Sequence, residues 1–183
     1  MDGEEEVIAA TRLWLERAVV GLNLCPFAEA VYRGGRVRFR VSDQKSASAL
    51  LEELCSELLH LNGAHPRECE TTLLIHPFAL RNFADYNQFL GHCDAAIAEA
   101  GLEGELQVAG FHPEFQFAGT EPDDIENYTN RSPHPILHLL REDSIERAVA
   151  AFPDASDIYE RNMETLRRLG AAGWQELHLS PAN

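Results

Sequence analysis

The sequence predicts one α/β domain over residues 1–183, a sandwich in which a mixed sheet of about four main strands is packed by helices. Three observations predict it. Apolar residues recur at helical spacing in several segments, and short apolar runs bounded by glycine, proline or polar residues alternate with them. Helices lie between the first three strands, so crossover connections make those strands parallel. The fourth strand follows a long loop with no helix, so it runs antiparallel and starts near where the third ends.

The elements follow in order. Residues 5–20 place Val7, Ile8, Leu13, Trp14, Leu15 and Val19 at near-helical spacing, and Gly21 stops the helix. Pro26 suits the first position of a short helix reaching about Tyr32, which leaves Cys25 at its cap. Gly34 and Gly35 turn the chain into a strand at 36–41. Residues 46–61 carry Leu50, Leu51, Leu54, Leu58 and Leu61 on one helical face, and 71–75 is a buried strand. A helix over 85–100 ends at Gly101, strands follow at 106–111 and 136–140, and two helices close the chain at 144–151 and 156–169. Pro153 separates those helices, and Gly170 and Gly173 end the second.

Composition narrows the function. The chain carries 15 basic and 30 acidic side chains, a formal charge of -15, which repels phosphate backbones and anionic lipid; nucleic acid and membrane are not expected partners. No apolar run approaches the ~20 residues of a membrane span. The acidic start, Met1-Asp2-Gly3-Glu4-Glu5-Glu6, has the wrong charge for a secretory or mitochondrial address, so a cytoplasmic location is expected. Cys25, Cys55, Cys69 and Cys93 form no C-x-x-C pair and are expected as free thiols. Oligomeric state is not legible.

Chemistry concentrates at one predicted sheet edge. His76-Pro77 follows the second strand, His112-Pro113-Glu114 follows the third, and Asn130-Arg131-Ser132-Pro133-His134-Pro135 leads into the fourth. The topology brings these segments together, joined by Ser42-Asp43-Gln44, at the edge where open α/β sheets bind ligands. Each of these histidines precedes proline, which holds it on stiff extended backbone. The loop at about 112–135 is long enough to be a lid or binding loop.

The expected function is therefore an enzyme of unstated reaction acting on a small, anionic molecule. Cys25 is its nucleophile, His112 its general base and Glu114 the group that orients the base; His76, Asn130, Arg131 and His134 bind substrate. A thiol at a helix N-terminus favours thiolate, although Cys25 equally suits a small core residue. Arg131 either grips an anion or pairs with an acid of its own loop. No cofactor is required. A divalent metal on His76, His112 and His134, with Glu114 or Cys25, is one alternative, and a non-catalytic ligand-sensing or protein-interaction module is the other. H-E-x-x-H, G-x-G-x-x-G, P-loop and G-x-S-x-G motifs are all missing from the sequence.

Three further features weigh less. Arg33, Arg36, Arg38, Arg40 and Lys45 crowd one segment; the strand face that Arg36, Arg38 and Arg40 share is either paired with surplus carboxylates or attractive to anions. The acidic stretch 121–127 lacks EF-hand spacing and reads as a solvated loop. His138 alternates with Ile136 and Leu140 on one strand face and reads as a core residue.

The segments N-L-C-P-F, T-L-L-I-H-P, G-F-H-P-E-F-Q-F and N-R-S-P-H-P-I-L-H-L-L-R-E-D-S-I-E-R-A together resemble an uncharacterised bacterial family, domain of unknown function 1415. The resemblance covers nearly the whole chain. It implies a single-domain bacterial protein and brings no activity or residue roles with it.

Overall fold

The computed structural model describes residues 2–151 and 158–179. The chain begins with α1 (Asp2–Trp14), which continues into a π-helical segment, Leu15–Val20. The wide turn ends where Gly21 donates its N–H to Glu16; a Cβ on Gly21 would lie 2.4 Å from the Arg17 carbonyl oxygen, so only glycine fits. After α2 (Ala28–Arg33) come β1 (Val37–Val41), α3 (Ala47–Gly63), β2 (Thr71–Ile75), α4 (Phe83–Glu99) and β3 (Leu106–Phe111). The side chains of Ser46 and Asn82 cap α3 and α4 by accepting backbone N–H groups of their first turns. A 3₁₀ turn, Ile125–Asn130, lies inside the long loop, ahead of β4 (Ile136–Arg141), α5 (Glu142–Ala151) and α6 (Ile158–Glu176).

The four strands form one mixed sheet in the order β1-β2-β4-β3. β1 and β2 pair in parallel, and β4 pairs antiparallel with both β2 and β3. The first three strands therefore point the same way, as the crossover argument predicts, with β4 inserted between the second and third. Their carboxyl ends share one edge with the start of β4: His76 N–H donates to the Pro135 carbonyl, and His112 N–H to that of Asn130.

Alternation along the strands assigns two cores. On one face Leu74, Leu106, Leu137 and Leu139 meet Leu50, Leu54, Leu58 and Leu61 of α3 and Tyr86, Phe89 and Cys93 of α4. On the other, Leu73, Ile75 and Ile136 meet Trp14, Leu15, Ala18 and Val19, with Phe39, Phe111 and Cys25 against them. Gly110 lets the first core close, because a Cβ there would stand 2.7 Å from the Tyr86 hydroxyl, which donates to Ile136 O at 2.7 Å.

Three boundaries differ from expectation. The first helix changes to π geometry at Leu15, where helical periodicity carries no sign of the extra residue per turn. α2 starts at Ala28 with Phe27 as its cap, so Cys25 lies in the turn before the helix instead of at its N-terminus. Gly170 does break regularity, with φ 67 and ψ 174, but the helix resumes and runs to Glu176. The expected Pro153 separator and the start at Ser156 lie outside the described residues.

Candidate functional site

The predicted edge assembles, with His112, Asn130, Arg131 and Ser42 bonded within the fold. His112 is buried, its Nδ1 accepting from Glu114 N–H at 3.0 Å while Nε2–H donates to Leu80 O at 3.2 Å. With both nitrogens bonded to backbone, no lone pair remains for a general base. Burial holds its pKa below the ordinary value. Leu80 accepts that bond from a left-handed conformation, φ 52, so the imidazole braces a strained turn. Glu114 contributes its backbone N–H to His112 while the residue itself is exposed.

His76 is fully buried and stacks on Tyr86 at 5.8 Å, and its Nδ1–H donates to Ala79 O at 3.0 Å. Its Nε2 is buried with no partner among the described residues, and burial pushes its pKa down to about 4. Asn130 donates to Gly110 O at 3.0 Å. Arg131 donates to the carbonyls of Phe115 and Pro122 and lies 4.4 Å over the Tyr128 ring, stapling the long loop, so carbonyls and an aromatic face take the guanidinium that was expected to hold an anion. His134 is half-buried with a lowered pKa from that burial, and its carbonyl accepts from Ser132. The Ser42 hydroxyl is bonded to Glu53 of α3.

Cys25 is not part of this edge. Phe111 packs on Trp14 at 5.2 Å on the face that Cys25 shares, so the next residue, His112, points to the opposite face. The sheet therefore separates the expected nucleophile from its expected base, which packs on Tyr86 of the other core. Burial raises the thiol pKa, against smaller lowering by the Phe27 and Ala28 N–H groups, so Cys25 is a neutral thiol at pH 7. Among the described residues no three His, Cys, Asp or Glu side chains group as a metal site. The arginine stripe follows its bland alternative: Arg36 pairs with Glu70, Arg38 with Glu57 through two bonds of 2.8 and 3.0 Å, and Arg40 with Glu53.

The open space lies on the Cys25 face. A cavity of about 380 Å³ sits between the sheet, the N-terminal helices and α5. Its floor is Thr71 and Leu73 of β2, His138 and Leu140 of β4, and Gln107, Ala109 and Phe111 of β3. Register explains the space: Ala109 lies opposite His138, and His138 opposite Leu73, so a methyl stands where a long side chain would reach the helices. Trp14, Leu15 and Val19 form one wall, Cys25, Ala28, Val31 and Tyr32 another, and Ile145 and Ala148 of α5 a third. Glu70 and Ser144 also line it, with the Ser144 hydroxyl donating to the Glu70 carboxylate.

His138 is the polar group of the floor that the sequence reading assigned to the core. Its Nε2 lies 2.8 Å from Thr71 Oγ1, and burial pushes its pKa down to about 4. A histidine between Ile136 and Leu140 was the available signal, but that it faces Ala109 depends on register, which periodicity does not give.

Fold and site define a single-sheet α/β protein with an apolar chamber on one sheet face and a single imidazole in its floor. The chain belongs to the family described as Protein of unknown function (DUF1415), which matches residues 6–176, nearly its whole length. No curated protein and no solved structure matches it.

Proposed function

We propose that this chain is a cytoplasmic small-molecule-binding protein whose ligand occupies the chamber between the sheet, α2 and α5. One observation carries the reading. This partly open space of about 380 Å³ is within the range of ligand sites and is lined largely by apolar side chains. The expected catalytic grouping does not support the reading as well, since Cys25 stands across the sheet from His112 and is neutral. No helix of the described residues is long and apolar enough to cross a membrane.

Naphthalene is a suitable probe, being apolar and small enough to enter. Titrated into methyl-labelled protein, it shifts Leu73, Leu140 and Ile145, which line the chamber, and leaves Leu54 and Leu58 of the opposite core in place. Ala109→Leu fills the floor and abolishes those shifts. Unmoved chamber methyls at saturating probe, or shifts that survive Ala109→Leu, would overturn the proposal.

A further inference from the structure

Hydrogen-bond accounting in the floor fixes what the chamber asks of its ligand. Thr71 Oγ1 lies 2.6 Å from Leu139 O, a pure acceptor, so the single hydroxyl proton goes to that carbonyl. Oγ1 must then accept from His138, which places the imidazole proton on Nε2 and leaves Nδ1 a bare lone pair. No described residue bonds to Nδ1, and it is not among the sealed buried atoms that lack partners. His138 stands on a central strand with its side chain in the cavity lining, so Nδ1 opens only into the chamber.

Two of the other polar groups are committed, while the Gln107 amide on the edge strand of the floor is exposed and makes no hydrogen bond to a described residue. Ser144 gives its proton to Glu70, and Glu70 also accepts from Arg36. Arg141 turns Nη2 to the carbonyls of Leu61, Ala64 and Cys69, and its Nε is sealed from the chamber. Arg141, with Nη2 spent on carbonyls and no carboxylate partner among the described residues, is the remaining cation of the lining, and the Glu70 carboxylate in the same lining opposes an anion.

We infer that the chamber selects a neutral, largely apolar molecule bearing one hydrogen-bond donor, such as a phenol, an alcohol or an indole N–H, which donates to His138 Nδ1. The inference rests on the chamber being a ligand site, and it replaces the anionic substrate expected from sequence with a neutral donor.

Three probes of one shape test it: 2-naphthol, naphthalene and 2-naphthoate, each titrated into wild type and His138→Phe. Phenylalanine fills the imidazole's volume and removes the acceptor. The ratio of naphthalene to 2-naphthol dissociation constants is expected to fall about 10-fold in the variant, with naphthalene binding retained and 2-naphthoate weakest in wild type. In wild type alone, 2-naphthol should shift the His138 Nδ1 nitrogen resonance as a hydrogen bond forms, and naphthalene should not, which keeps the test decisive if the variant fails to fold. An unchanged ratio, a silent Nδ1 resonance or preferred binding of 2-naphthoate overturns the donor inference while the chamber stands. If none of the three probes binds, the chamber reading falls and the inference with it.

Discussion

Lowering the pH from 7 to 5 should destabilise this protein through its buried histidines. His76 and His138 are each held at about 4 by burial, below the ordinary 6.5 that they regain in the unfolded chain. The unfolded state thus takes up protons first as pH falls. The stabilising contribution is complete above pH ~6.5, is lost progressively below it, and stops falling near pH ~4. At pH 5 the loss is about 2 kcal/mol for His76, and His138, partly exposed to the chamber, adds a smaller share, against a typical total of about 5–15 kcal/mol. His112 and His134 are lowered in the same direction and add to it. Glu57, also lowered, acts below the ordinary carboxylate value of 4.5, so the interval between pH 6.5 and 5 reports histidine. Urea unfolding at pH 7 and pH 5 measures the difference, and His76→Gln should shrink it by about 2 kcal/mol, more than His138→Gln does. A wild-type stability that is flat across this interval would refute the assignment of both imidazoles as buried and neutral.

Three other outcomes are expected. Gly110→Ala should destabilise by about 1–3 kcal/mol in urea unfolding, because its Cβ meets the Tyr86 hydroxyl 2.7 Å away; Tyr86→Phe combined with it should recover part of that loss. Arg131→Met should speed proteolysis within the loop at 112–135, since it removes the bonds to Phe115 and Pro122, and should leave 2-naphthol affinity unchanged. Cys25 should alkylate slowly at pH 7, accelerate only above the ordinary thiol value of 9.0, and slow further with 2-naphthol in the chamber; fast alkylation near neutrality would restore the thiolate reading.

Sequence periodicity carried the architecture because it reports burial one element at a time. The leucine face of α3 and the strand at Thr71–Ile75 appear where expected. Crossover logic likewise gave the strand directions and the meeting of His76, His112 and Pro135 at one edge. The role of that edge did not follow, because residue type does not say whether a nitrogen is spent: His112 could have been a base until Leu80 O and Glu114 N–H took both its positions. The chamber was illegible for a different reason. It depends on Ala109 standing opposite His138, a pairing between segments whose order in the sheet no local pattern records.

The two sheet faces also show why the chamber matters more than the histidine edge. On the α3 and α4 face, glycine at 110 leaves room for Tyr86 to press against the strand within that core. On the other face a methyl at Ala109 holds a space open beneath the N-terminal helices. The space is partly open, so leaving it without a guest keeps apolar side chains against water at a cost. A larger residue at position 109 would relieve that cost within ordinary strand geometry. The chamber must therefore hold solvent or a guest, and the apolar walls with the bare His138 acceptor favour a guest that carries its own donor. Binding should raise the melting temperature in proportion to the logarithm of 2-naphthol concentration above its dissociation constant, and Ala109→Leu should raise the ligand-free melting temperature while abolishing that dependence. A destabilised Ala109→Leu would mean that the floor is already packed and the space too small to hold a guest.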